Sequence, residues 1–360
     1  MELDRRQFLG GVLAAQAAPL TLGIPGPYRG RVVAVQHPAS ISSGRYQREP
    51  VREMMRKGMM ELTGAPSWTE AWRVFFQPGD VVGIKLNPVG QPYVMSAPEV
   101  FQEIVAGLGE AGVKPKDIVA YDRYRSQFLS AGFEKWLPDG ARWMAASSGF
   151  DNDRLQLDMD GYDRDQFMEM ALVTPPGDPA NSHHRRSYVA KFLTREVNKL
   201  VNLGVLKHHQ SAGVTIALKN LSHGLVNNVA RSHISSSNNA CGAFIPAVVD
   251  LPVIRRKTVL NIIDGVLGAY HGGPGGRVRK YVWENKTLYF ATDPVAVDTV
   301  GLGLIDAKRK EVGMAPIASA TPDSDSTFVR MQPEHIEIAG KLGLGESDES
   351  KIDLRSVKLA

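Results

Sequence analysis

Short runs of β-branched and aliphatic residues recur along this chain, each closed by polar or turn residues and most followed by a stretch with helical spacing. Arg31–Gln36 (RVVAVQ) is the first, suited to a buried strand. Residues 49–63 have helical composition, with Met54, Met55, Met59 and Met60 at apolar positions that read as core packing. Gln77-Pro78-Gly79-Asp80 marks a turn, and residues 81–86 (VVGIKL) follow as a strand that ends at Asn87-Pro88. A helix begins at Ser96 or Ala97 with Pro98 in its first turn, presents Val100, Ile104, Val105 and Leu108 on one face, and ends at Gly112. Residues 117–121 (DIVAY) form the next strand, closed by Asp122. Strand, helix and strand in this order make a βαβ unit, which implies a parallel sheet with a right-handed crossover.

Residues 123–195 break the rhythm. They are turn-rich at 174–179 and charged at 151–164, and predict an irregular insertion or lid beside the sheet. Residues 200–206 resume the buried-strand pattern, which stops at Lys207-His208-His209. After Gly213 the spacing turns helical: Ala217, Leu218, Leu221 and Leu225 share a face, while Thr215, Lys219, His223 and Asn227 form a polar stripe with Asn220 beside it. Ser235-Ser236-Ser237 is expected to cap a further helix, whose apolar face of Cys241, Phe244, Ile245 and Val248 makes Cys241 a packed core thiol. Residues 258–263 predict a strand ending at Asp264-Gly265. Residues 288–291 predict another, ending at Asp293-Pro294 with a helix over 295–305 behind it. Between those two strands, residues 271–277 form a glycine-rich loop with Arg277 at its end, suited to cradling an anion but lacking a P-loop ending. Surface turns and a polar tail are expected after Gly313. The pattern as a whole predicts an α/β fold: a central, mainly parallel sheet flanked by helices, with residues 26–360 as one domain.

Composition narrows the class. With 360 residues and 43% hydrophobic content the chain can bury a substantial core. The net charge of +4 is spread without long runs, which argues against a nucleic-acid partner. Cys241 is the one cysteine, so this chain alone makes neither an internal disulfide nor an iron–sulfur cluster. Residues 1–25 carry Arg5-Arg6 followed by Phe8-Leu9, a short apolar run and Ala15-Gln16-Ala17, although Asp4 stands where such signals usually have Ser or Thr. This resembles a twin-arginine export signal, and the apolar run is too short to span a bilayer. The expectation is a periplasmic or otherwise exported protein that meets the twin-arginine machinery and keeps no permanent membrane anchor.

Candidate chemistry is concentrated. Seven of nine histidines lie between residues 183 and 271. In an open parallel sheet the carboxyl ends of the strands share one edge, and ligands bind in the crevice outside it. Lys85, Asn87, Asp122, Lys207, His208, Asp264 and Asp293, all at expected strand ends, should therefore converge.

Several of these segments together resemble the domain of unknown function 362 family. They are Gly83-Ile84-Lys85-Leu86-Asn87, residues 202–208, Ala212-Gly213-Val214-Thr215, Leu218-Lys219-Asn220, Ile263-Asp264-Gly265 and Asp293-Pro294-Val295-Ala296-Val297-Asp298. Members often carry or accompany ferredoxin-type iron–sulfur segments, from which this chain departs.

The residues themselves predict a metal-dependent enzyme acting on a small anionic substrate in the crevice. A divalent ion is expected on some of His208, His209, His223 and His233. Lys85, Lys207 or Lys219 would hold the substrate, Lys207 and Lys219 being the catalytic candidates, with Asp264 as base or as a carboxylate supporting a ligand. Lys85, Asn87, Asp122, Asn220, Asn228 and Arg231 complete the expected ligand-binding set. The alternative is a non-catalytic periplasmic protein that binds a metal or a small anion.

Overall fold

The computed structural model describes residues 21–149, 155–274 and 279–360. Of the expected export signal over residues 1–25, residues 1–20 lie outside them, as do Gly275, Gly276 and Arg277 of the expected anion loop. In chain order the first half holds β1 (Arg31–Gln36), the short hairpin β2 (Ile41–Ser42) and β3 (Arg45–Tyr46), α1 (Arg48–Thr63), α2 (Trp68–Arg73) and β4 (Val82–Lys85). It continues with α3 (Pro98–Glu110), β5 (Ile118–Tyr124), α4 (Arg125–Ser130), β6 (Arg142–Ser147), β7 (Tyr162–Glu169) and β8 (Arg186–Ala190). The second half holds β9 (Lys199–His209), β10 (Gly213–Thr215), α5 (Ala217–Leu225), α6 (Cys241–Val249), α7 (Pro252–Lys257) and β11 (Thr258–Ala269). Last come β12 (Val282–Ala291), α8 (Pro294–Glu311), α9 (His335–Lys341) and β13 (Asp353–Lys358).

The central sheet runs β13-β1-β12-β11-β9-β4-β5-β6, with β10 paired to β9. Along that path only β12 is antiparallel to its neighbours. The fold is thus the expected α/β class. Strands covered on both faces read as near-continuous apolar runs, and β4 is buried throughout, its final Lys85 included. One face packs on α1, α2 and α3 through Met54, Trp72, Phe101 and their neighbours. The other packs on α5, α6, α8 and α9 through Leu221, Phe244, Val295 and Ile336.

Several boundaries differ from expectation, each for a local reason. β9 does not stop before Lys207 but carries Lys207, His208 and His209 as strand residues, because β10 folds back and pairs with all three. β11 runs through Asp264 to Ala269, with Gly265 still paired to Thr287 and a bulge between Gly265 and Leu267. Ser235, Ser236 and Ser237 are exposed and cap nothing; Asn239 Oδ1 accepts from Cys241 N at 3.1 Å instead. Part of the 123–195 stretch belongs to the sheet, since β5 extends to Tyr124 and β6 adds a parallel edge strand. The tail is likewise structural, with β13 completing the opposite edge beside β1. The folded part begins before residue 26, because Ile24 is buried and its N–H donates to Arg255 O at 2.8 Å.

Candidate functional site

The carboxyl ends of β4, β5 and β9 and the first turns of α5 enclose a cavity of about 390 Å³. Parallel strand order brings them together, as the switch-point rule for open sheets expects. Into it project Lys85 at the end of β4 and Asn87 just after it, Asp122 and Arg123 in β5, and Lys207 and His209 in β9. Alternation along β9 sends Lys207 and His209 to the cavity and His208 to the other face. From α5, Lys219, Asn220 and His223 reach the same space, and His233 closes it from the following loop. Thr215 also lines it, so three of the four residues of the polar stripe meet there, although only Lys219 and His223 are helical.

The cations are not equivalent. Lys85 Nζ donates to Asp122 Oδ1 at 2.7 Å, to Asn220 Oδ1 at 3.2 Å and to Leu86 O, so its three hydrogens are committed. Gly224 makes room for it: a Cβ there would lie 2.1 Å from Lys85 Cε. Lys207 Nζ donates to Asn87 Oδ1 at 2.8 Å and to Val89 O, leaving one hydrogen. Lys219 is 6% exposed, and its Nζ makes no hydrogen bond or ion pair among the described residues. Burial lowers the Lys219 ammonium to about 8, and burial with the nearby Lys85 and Lys219 charges lowers Lys207 to about 7. Arg123 adds a fourth cation, pinned by donation to His223 O at 3.0 Å. Among the described residues one cavity carboxylate, Asp122, stands against these.

A chain of amides sets the floor. Asn87 Nδ2 donates to Asn220 Oδ1, Asn220 Nδ2 to Asn202 Oδ1, Asn202 Nδ2 to Asn261 Oδ1, and Asn261 Nδ2 to Thr292 O. The network crosses from β4 to β11 and locks α5 to the sheet. Asp298 holds the other end of this arrangement, accepting from Ala217 N at 2.7 Å and Leu218 N at 3.2 Å, the orphan donors of the first turn of α5. Asp293 caps α8 itself and also accepts from Gly30 N and Glu346 N. Both aspartates of the 293–298 segment therefore position the site from behind.

The tautomers of the histidines follow from their partners. Nδ1 of His209 accepts from Ser211 N at 3.1 Å and Ala212 N at 3.3 Å, so the ring hydrogen sits on Nε2. Burial keeps this imidazole neutral at ordinary pH, with the Lys219 charge adding to the effect. His209 is thus an N–H donor toward the cavity and not a metal ligand. His208 accepts from Gly273 N at 3.1 Å, faces Met331 Sδ through Nε2 at 3.2 Å, and lies outside the cavity, so it too leaves the expected ligand set. His223 and His233 remain, held neutral mainly by burial, His233 at about 3. Donor atoms of these two and of Cys241 lie within 4.8 Å of one another, which makes them the trio that could hold a metal among the described residues.

Three further expected residues lie elsewhere. Asp264 is buried and accepts from Tyr46 Oη at 2.9 Å, Ala97 N at 3.1 Å and Val266 N at 3.2 Å, so it ties β11 to the start of α3 and does not reach the cavity. Arg231 spends its guanidinium on the carbonyls of Met168, Met170, Leu172 and Arg185 and on Ser187. Asn228 donates to His184 O and Arg186 O. Both anchor the β7–β8 hairpin. Arg123, Tyr124 and Gln156 line the cavity and were missed; Arg123 follows Asp122 directly, so a longer β5 was the signal that could have found it.

Fold and site together define an α/β protein with a cation-rich cavity at the carboxyl edge of its sheet. The chain belongs to the family described as "Domain of unknown function (DUF362)", whose profile matches residues 82–303, more than half of its length. No curated protein matches. A structural-genomics crystal structure of a protein from Thermotoga maritima is similar at 11% identity and a TM-score of 0.37, over 64% of this chain and 52% of that one. The matched part thus spans about half of that protein.

Proposed function

We propose that this protein is an exported enzyme that acts, with the help of a metal ion, on a small anionic substrate in the cavity. The observation that carries this reading is the Lys219 ammonium, which has no partner among the described residues and lies among three other cations and one described carboxylate. A buried charge without a partner is costly, and an anion supplied from solution removes that cost. The substrate's negative group lies between Lys219 and the free hydrogen of Lys207. The His209 N–H then donates to a carbonyl or developing anionic oxygen, a role suited to a neutral imidazole held in one tautomer. A metal ion on the trio's imidazoles would polarise the same oxygen. Lys85 and Asp122 act as a fixed support that holds Asn220 in place. Export rests on Arg5-Arg6 and the apolar run after it.

The test uses sulfate and inorganic phosphate as probes. Isothermal titration should show one of them binding the wild type, and Lys219→Met should bind it at least tenfold more weakly, as expected for loss of a charge-assisted hydrogen bond worth about 1.5–3 kcal/mol. Its melting temperature should not fall, because a lysine without partners among the described residues loses none of them. Equal anion affinity in wild type and variant would overturn the reading.

A further inference from the structure

We infer that His223, His233 and Cys241 form a metal centre in which a thiolate and two imidazoles hold a borderline or soft divalent ion, with an open position facing Lys219. This assignment rests on the metal-assisted reading above and fixes which metals it concerns. The three residues come from three separate places, the last turns of α5, the loop after it and the first position of α6, yet their donor atoms gather within 4.8 Å. Ser232 Oγ stands among them, 2.9 Å from His223 Nε2, 2.7 Å from His233 Nδ1 and 3.9 Å from Cys241 Sγ. It donates its one hydrogen to Val229 O at 2.8 Å, so both imidazole nitrogens face its lone pairs.

A tetrahedral zinc shell has bonds near 2.0 Å to nitrogen and 2.3 Å to sulfur, which puts its donors about 3.5 Å apart. The trio reaches that spacing by an inward movement of about 1 Å, with the Ser232 hydroxyl turned fully to Val229 O. On binding, the Cys241 S–H proton passes to solvent as the sulfur–metal bond forms, and the imidazoles bind through nitrogens freed of hydrogen by tautomer exchange. The second nitrogen of His223 already meets Ser222 Oγ at 3.0 Å, the kind of outer contact that orients a ligating imidazole. A thiolate in the set selects zinc, iron or copper over magnesium or calcium. The thiolate also offsets the ion's charge beside Lys219, and an anionic substrate bridging ion and ammonium completes the balance.

Cobalt(II) and zinc are the probes. Full-length protein stripped with a chelator and titrated with cobalt(II) should bind about one equivalent and develop a near-ultraviolet thiolate-to-cobalt absorption that zinc then abolishes. Cys241→Ser should lose that absorption and bind cobalt at least tenfold more weakly, while remaining folded by circular dichroism. His233→Gln should lose most of the bound metal. Lys219→Met should keep the absorption while losing sulfate affinity, so the two ideas fail separately. Wild-type protein that binds no cobalt or zinc, or binds cobalt without the thiolate absorption, would overturn the centre. Equal cobalt affinity in wild type and Cys241→Ser would do the same.

Discussion

At the scale of single residues, the cavity separates groups that look alike in sequence. Lys85, Lys207 and Lys219 all read as strand-end or helix-face lysines, but among the described residues three hydrogen bonds commit the first, two the second and none the third. That ranking depends on which carbonyls and carboxylates fold against each ammonium, and no local pattern carries it. The histidines repeat the lesson. Strand alternation predicts that only one of His208 and His209 can face the crevice, but the backbone donors that fix both tautomers come from the turn after β9 and from Gly273. Asp264 is the opposite case, a carboxylate that looks chemical and is structural. Asp264→Ala leaves the donors of Tyr46, Ala97 and Val266 without an acceptor and should cost about 1–3 kcal/mol for an unsatisfied buried group. Chemical denaturation should register that loss while sulfate affinity stays at the wild-type value; unchanged stability with lost affinity would make Asp264 part of the site.

At the scale of elements, α5 is the piece that delivers Lys219, Asn220 and His223, and its position is set from a distance. Its first two N–H groups are held by Asp298, eighty residues away in α8, and its Asn220 is threaded into the amide chain across β9 and β11. The helical spacing after Gly213 was legible, as were β1, β4, β5 and most of α3, because buried runs and apolar faces are local signals. The stretch β9–β10 was not: a sharp return that pairs three polar residues of β9 looks, in sequence, like the end of a strand. Asp298→Ala removes an acceptor for the first turn of α5 and should lower stability by about 1–2 kcal/mol, as for loss of a helix N-cap. Because α5 then shifts against the sheet, sulfate affinity should fall together with stability, and Asp298→Asn should recover part of both. Normal sulfate affinity in a destabilised Asp298→Ala would show that Asp298 holds the fold without positioning the site.

At the scale of the whole molecule, one sheet edge collects residues from 85 to 233, which is why the parallel order could be used to group Lys85, Asn87, Asp122 and Lys207 before any contact was known, although the same rule drew in His208, Asp264 and Asp293, which do not line the cavity. The C-terminal segment was illegible for the same physical reason in reverse. Its apolar residues are scattered among turns without a long periodic run, and its value lies in long-range contacts, such as Met331 against His208, Asp323 against His271 and β13 against β1. Among the described residues no helix is long and apolar enough to cross a membrane. Export is tested by changing Arg5 and Arg6 together to lysine, which preserves charge but not the guanidinium pair; fractionation should find that variant in the cytoplasm, and undiminished export would remove the twin-arginine assignment.

The central claim, an anion site built on Lys219, is tested most directly by the pH dependence of sulfate binding, since sulfate keeps its charge across the range. Only the protonated ammonium attracts the anion, and burial has lowered Lys219 to about 8, with Lys207 at about 7. Binding should therefore be strongest below pH 7 and weaken as pH rises through 7 and 8, approaching a tenfold loss per pH unit for each proton that binding must restore. In Lys219→Met the weaker binding that remains should lose the part of this slope above pH 8. Sulfate affinity that is flat from pH 6 to 9 in the wild type, or a slope that survives whole in Lys219→Met, would contradict the account.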